Sequence, residues 1–250
     1  MRFSHKMKKL ADPRAWRSAR RHLALMLLSR RFVLSLNEDT IIAAMDREKF
    51  QAIHDRHAVE DPGSDWPKYL DLKKWIRINL RRVHDLDLGW SRRKDILDIG
   101  SGAGYFLYIC KWLGHRPVGL DIDEVPMFRE MMRMLELPRI IWRVSAFQPL
   151  PDLGRKFDLI TAFMICFNGH KSPALWGPEE WEFFLNDLET RLKPHGRIWL
   201  GFNREDDGNF YPEKVRRYFL ARGAEIEGDH VSFRPSEKTA RAPRPLAAVS

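Results

Sequence analysis

The sequence predicts an α/β fold in which a mostly parallel sheet carries helices on both faces, with a helical N-terminal extension ahead of it. Three observations predict this. From Lys94 onward, short apolar segments alternate with amphipathic ones, the rhythm of strands joined by crossover helices. Several apolar segments are unbroken, notably Leu159 to Phe167, as expected of strands covered on both faces. The stretch before Lys94 lacks that alternation and reads as helical throughout its periodic parts.

In chain order, residues 14–31 read as a basic amphipathic helix. Trp16, Ala19, Leu23, Met26 and Leu27 fall on one face, and Arg14, Arg17 and Arg21 on the other. A loop follows, marked by Asp61-Pro62-Gly63-Ser64. A second helix spans about 67–87, with Leu72, Trp75, Ile76, Leu80, Val83 and Leu86 as its buried stripe. Strands are expected near 95–99, 117–121, 140–144, 157–164, 196–202 and 230–234, and helices near 104–113, 125–136, 178–192 and 211–222. Pro178 at a helix entry, with Glu179 and Glu180 in the first turn, suits the helix dipole. Asp123 is placed to cap the helix near 125. The resulting division is a basic arm over 1–60, an α/β domain over 61–235 and a disordered tail over 236–250.

Composition narrows the class. A 44% hydrophobic, 12% aromatic chain of 250 residues is globular and long enough for a full α/β core. The net charge of +9 resides in the arm, because residues 1–31 hold ten Lys or Arg against Asp12 alone. That arm has only the six apolar residues Leu23 to Leu28 in a row, short of the roughly 7–15 of a secretory segment and the ~20 of a membrane span. Cys110 and Cys166 sit inside apolar runs and read as core residues of a protein in a reducing compartment, so a cytoplasmic location is expected. No CxxC or HExxH pattern calls for a metal.

The chemistry-bearing stretch is Ile96-Leu97-Asp98-Ile99-Gly100-Ser101-Gly102-Ala103-Gly104, a buried strand ending in a glycine-rich turn that opens a helix. The next strand ends in Asp121-Ile122-Asp123, and an acid there can accept both hydroxyls of a ribose. A nicotinamide or flavin fingerprint counted from Gly100 would need Gly or Ala at 105, where Tyr105 stands.

With its further segments Ser145-Ala-Phe-Gln-Pro-Leu-Pro151, Phe157-Asp-Leu-Ile160 and Leu192-Lys-Pro-His-Gly196, the chain resembles the class I S-adenosylmethionine-dependent methyltransferase family over about 95–204, and weakly to 235. The resemblance implies a Rossmann-like fold with seven strands, S-adenosylmethionine as the methyl donor, and Asp98, Gly100, Gly102, Gly104, Asp121, Ile122, Ser145, Ala146, Phe147 and Phe163 around it. Asp98 would hold the donor's ammonium and Asp121 its ribose. Ser145 departs from the acid common at that place, leaving a hydroxyl for the adenine amino group. His170 and Asn168, just beyond the fourth strand of the motif series, are the candidate catalytic residues, histidine being a general base near neutral pH. A plain Asn-Gly turn is the competing reading of both. Trp176 and Trp181 either lid the acceptor pocket or anchor the helix at Pro178.

The expected reaction is methyl transfer to an oxygen or nitrogen of a small molecule, and the family resemblance adds a sugar or lipid-linked glycan as one candidate acceptor. The alternatives are an RNA methyltransferase gripping phosphates through the arm, and a non-catalytic donor-binding protein. Residues 1–31 suit peripheral contact with an anionic membrane, which uses the apolar face that phosphate binding would leave idle; the competing reading packs that face on the domain and leaves the arginines solvated.

Overall fold

The computed structural model describes residues 36–58, 66–165 and 175–234. Seven strands form one sheet: β1 (Asp95–Ile99), β2 (Arg116–Asp121), β3 (Arg139–Ile141), β4 (Phe157–Ile165), β5 (Leu192–Phe202), β6 (Glu225–Glu227) and β7 (His230–Phe233). Their order across the sheet is β3-β2-β1-β4-β5-β7-β6. β1 to β5 run parallel, and β7 returns antiparallel beside β5 with β6 on its outer side. Six strands fall where the apolar runs predict them. β6 escapes that reading because Glu-Ile-Glu at a sheet edge has no apolar run to detect. β3 is shorter than expected: its ladder stops at Ile141, after which the Trp142 amide donates to the Asp121 carbonyl. The expected turn at 192–196 lies inside β5, whose pairing with β4 is irregular there.

Seven helices complete the described chain: α1 (Glu38–Ala43), α2 (Arg47–His57), α3 (Leu72–Asp85), α4 (Tyr105–Trp112), α5 (Pro126–Met134), α6 (Pro178–Thr190) and α7 (Glu213–Ala221). Strand residues alternate between two cores, Ile96 and Leu159 facing one and Leu97 and Ile160 the other. α1 to α5 cover the first face, with Ile41, Phe50, Ile53, Ile76, Val83, Leu107 and Met131 buried together. α6 and α7 cover the second with Phe184, Leu185 and Phe219.

α1 and α2 lie ahead of the loop marked at 61–64, within the helical extension, where no individual helix was assigned. Each carries its own start signal: Asn37 accepts the Thr40 amide at α1, and Asp46 accepts the Lys49 amide at α2. Their apolar stripes are short, which is why periodicity passes over them. The expected helix over 67–87 divides into a 3₁₀ turn, Trp66–Leu70, and α3, which Asp71 caps by accepting the Lys74 amide. Asp123 does not cap α5, whose N-cap is Val125. Its carboxylate is drawn instead to two guanidinium groups, Arg129 at 2.7 Å and Arg139 at 2.9 Å, tying α5 to β3. Trp176 and Trp181 are both buried against Phe184, so they anchor α6 and do not form a lid.

At the amino ends of the strands, buried Asp95 gathers Arg116 and Lys193, with Lys193 also bonded to Asp158. These cations hold the Asp95 carboxyl below its ordinary range despite burial, which pushes the other way. No helix among the described residues is long and apolar enough to cross a membrane.

Candidate functional site

The site is built where β1 ends. Gly100, Gly102 and Gly104 all take positive φ, 73°, 52° and 79°, so the chain turns through left-handed backbone three times before α4 starts. At Gly104 a second constraint applies. A Cβ there would lie 2.3 Å from Met132 Sδ and 2.8 Å from Leu137 Cδ1, so the residue also lets α4 approach α5. Around Gly100 there is nothing within 4 Å of a built Cβ, which leaves bare backbone facing space.

Two carboxylates flank this turn. Asp98 is 3% exposed and accepts a 2.7 Å hydrogen bond from Thr161 Oγ1 on β4. Burial pushes its pKa up to about 7, opposed by the Thr161 hydrogen bond and the Arg82 charge and assisted by the Asp121 charge. Asp121, at the end of β2, accepts the Gly102 amide at 2.6 Å and the Ile122 amide at 2.8 Å. Burial raises its carboxyl too, and those two amides pull it back. The glycine turn is thus clipped to β2 by the acid that the sequence singles out.

Both acids and the whole turn line one cavity of about 810 Å³ at the carboxyl ends of the strands, where ligands bind in open α/β sheets. Ile122 and Phe163 are also in its wall. Ser145, Ala146 and Phe147 do not: the wall on that side is Trp142, Arg143 and Val144. Phe147 takes φ 58°, is 54% exposed and sets its ring edge-on to Phe183 at 5.9 Å. Asn168 and His170 lie outside the described residues, as do residues 1–31.

The structure adds a wall that motif reading misses. Trp66, Tyr69, Trp75, Asn79 and Arg82 come from the 3₁₀ turn and α3, and Phe128 from α5. Tyr69 stacks on Trp75 at 4.5 Å, and Phe128 meets Tyr69 edge-on at 5.2 Å. The wall is pinned by the Trp75 indole donating to the Lys68 carbonyl and the Tyr105 hydroxyl donating to the Tyr69 carbonyl, each at 2.7 Å. Arg82 lies 4.1 Å over the Phe163 ring and donates to Asn79 Oδ1, while buried Asn79 donates to the Trp75 carbonyl. The signal available for this wall is Asn79 itself, an amide four residues from both Trp75 and Val83 on an otherwise apolar helix face.

No family profile matches the chain, and no curated protein does. Among solved structures, DesVI of Streptomyces venezuelae is 16% identical with a TM-score of 0.47, over 67% of this chain and 95% of that one. An O-methyltransferase family protein from Burkholderia thailandensis is 12% identical with a TM-score of 0.43, over 63% and 55%. The glycopeptide N-methyltransferase MtfA, solved with S-adenosylmethionine, is 13% identical with a TM-score of 0.38, over 51% and 55%. This chain therefore spans about half the length of the last two. The strand order, the reversed β7 and the glycine turn after β1 define the architecture: the chain has a Rossmann-like, seven-stranded, mostly parallel α/β fold.

Proposed function

We propose that the protein is an S-adenosylmethionine-dependent methyltransferase acting on an oxygen or nitrogen of a small molecule. The observation that carries this reading is the pair Asp98 and Asp121 on adjacent strands, bracketing the turn Gly100–Gly104 within one cavity. The donor fits what those residues offer. Its ammonium group supplies the charge that buried Asp98 lacks, its ribose suits Asp121, and bare backbone at Gly100 admits close approach. Arg82 is placed for a carboxylate, Asn79 fixing one edge of its guanidinium and Phe163 one face. Ile122, Trp142 and Val144 form the apolar slot past Asp121 for the adenine. When bound, the donor supplies a methyl group already activated by its sulfonium. The protein's part is then positioning and exclusion of water, worth much of the rate.

The acceptor reading rests on the wall above the turn. Stacked Trp66, Tyr69 and Trp75 offer flat apolar surface of the kind sugar rings pack on, which supports a sugar or lipid-linked glycan. The aromatic wall from the 3₁₀ turn and α3 narrows one side of the cavity, which suits a small molecule better than RNA. A cytoplasmic protein that touches anionic membrane through residues 1–31 remains part of this proposal, as do catalytic roles for Asn168 and His170. Calorimetry with S-adenosylmethionine, S-adenosylhomocysteine and NAD tests the core of it. Donor binding with NAD inert is expected; NAD binding without donor binding would overturn it.

A further inference from the structure

The proposed reaction needs a proton acceptor if the methyl goes to a hydroxyl or a protonated amine, and both carboxylates of the described cavity wall are taken. Asp98 and Asp121 are committed to the donor. The Tyr105 hydroxyl donates to the Tyr69 carbonyl, and the remaining charged groups in the wall are Lys and Arg. At the next strand over, however, the sheet brings an imidazole and a carboxylate together. Resting on the methyltransferase reading, we propose that Asp229 and His230 form the proton-accepting pair for the methyl acceptor.

Position is the first argument. β7 runs against β5, so its first residue, His230, pairs with Gly201 near the end of β5, at the same edge of the sheet as the cavity. The Phe202 amide donates to the Asp229 carbonyl at 2.9 Å, which fixes the chain just ahead of His230. Phe163, Gly201 and His230 then form a row across β4, β5 and β7. A Cβ built at Gly201 would lie 3.5 Å from Phe163 Cδ1, 3.6 Å from His230 Cδ2 and 3.8 Å from His230 Nε2. His230 and Asp229 stand just outside the lining of the cavity, and glycine at 201 leaves open the space between the imidazole and the Phe163 ring, which does line it. Any longer side chain at 201 would fill that space.

Orientation is the second. Asp229 Oδ1 lies 2.9 Å from His230 Nδ1, and the Trp199 ring supports the imidazole at 5.3 Å between centroids. A carboxylate beside Nδ1 favours the proton there and leaves Nε2, the nitrogen near Gly201, as the acceptor. The side chain of His230 is 29% exposed, partly sheltered and still able to meet a ligand. The other charges facing this pair are Arg82 from α3, within electrostatic reach of Asp229, and Arg197 of β5, 4.9 Å over Trp199. The step balances without a further reagent: the acceptor oxygen or nitrogen forms its bond to the methyl carbon as the carbon–sulfur bond breaks. The acceptor's proton passes to His230 Nε2, and Asp229 compensates the imidazolium.

The test uses the full chain with S-adenosylmethionine and a panel of phenols, sugars, amines and carboxylic acids. His230→Gln and Asp229→Asn should keep S-adenosylhomocysteine affinity within about threefold of the parent. His230→Gln should lower turnover of hydroxyl or amine acceptors by roughly 10²-fold or more, and added imidazole should restore part of the rate to His230→Ala. An arm independent of the acceptor uses donor carrying a ¹³C-methyl group, which should show an Overhauser contact to the His230 ring protons. Full turnover by His230→Gln, loss confined to His170→Ala, turnover of carboxylic acids alone, or a missing Overhauser contact would each overturn the proposal. Failure of the parent protein to bind donor would instead overturn the methyltransferase reading beneath it.

Discussion

Asp98 offers a sharp test, because its two roles pull in opposite directions. Replacing it with Asn keeps the shape and the Oδ1 that accepts the Thr161 hydroxyl, and removes the charge. An acid whose pKa rises from 3.8 in the unfolded chain to about 7 in the fold supports folding in its neutral form. That support is complete below pH 4 and is lost as the pH climbs through 7, where the buried carboxylate ionises. The span of about three pH units is worth about 4 kcal/mol. Asp98→Asn does not ionise, so its advantage over the parent should grow from near zero at pH 4 to about 4 kcal/mol at pH 8. At ~2–4 °C per kcal/mol for a chain this size, Tm should rise by about 10 °C at pH 8. Donor affinity should move the other way, falling roughly 10- to 150-fold with the loss of a charged partner. Differential scanning calorimetry of both proteins between pH 4 and 8, without ligand, reads the first effect, and titration with S-adenosylhomocysteine the second. A Tm difference that is flat with pH, or a variant less stable at pH 8, would refute the account of Asp98.

Asp121→Ala frees the Gly102 amide and removes the ribose acceptor, so S-adenosylhomocysteine affinity should drop by roughly 10- to 150-fold in calorimetry. Gly104→Ala forces a Cβ into Met132 and Leu137 at positive φ and should cost about 2–4 kcal/mol, seen as a lowered urea midpoint. Asp95→Ala removes the buried carboxylate shared by Lys193 and Arg116, whose own side chains reach solvent, and should cost about 1.5–3 kcal/mol near pH 7 by urea unfolding. The cost should shrink in strong acid, since the lowered pKa of Asp95 contributes stability only above the unfolded value and loses it as the pH falls through the folded one. Deleting residues 1–31 should release the protein from anionic liposomes in a flotation assay with donor affinity unchanged. Retained liposome binding would remove the membrane reading.

The α/β core was legible because parallel strands buried on both faces leave long apolar runs, and Asp98, the glycines and Asp121 because tight backbone turns and strand-end acids are local in sequence. What local pattern could not show is assembled over distance. Arg82 reads as one more arginine of a charged helix until α3 lays it on Phe163, eighty-one residues further along. Phe147 was assigned by its place after the third strand, yet positive φ at that residue turns its ring toward Phe183 and leaves Val144 to face the cavity. α1 and α2 were missed for want of apolar residues to set a period, although Asn37 and Asp46 mark their starts.

The shared core of α1, α2 and α3 with α4 and α5 bears on how a ligand gets in. Ile41, Phe50, Ile53, Ile76 and Val83 are packed into the same cluster as Leu107 and Met131 behind the aromatic wall of the cavity. Swinging that wall away as a rigid flap would strip several of these side chains at once, at roughly 1.5–3 kcal/mol each. Such an excursion is far too rare to gate each encounter. Among the described residues, the freedom to admit a ligand lies instead in rotamer changes at the rim, where Trp66 is 46% exposed and Met164 is 53% exposed. These helices therefore add no slow hinge-opening step to association, since the side chains at the rim move on the much faster rotamer timescale.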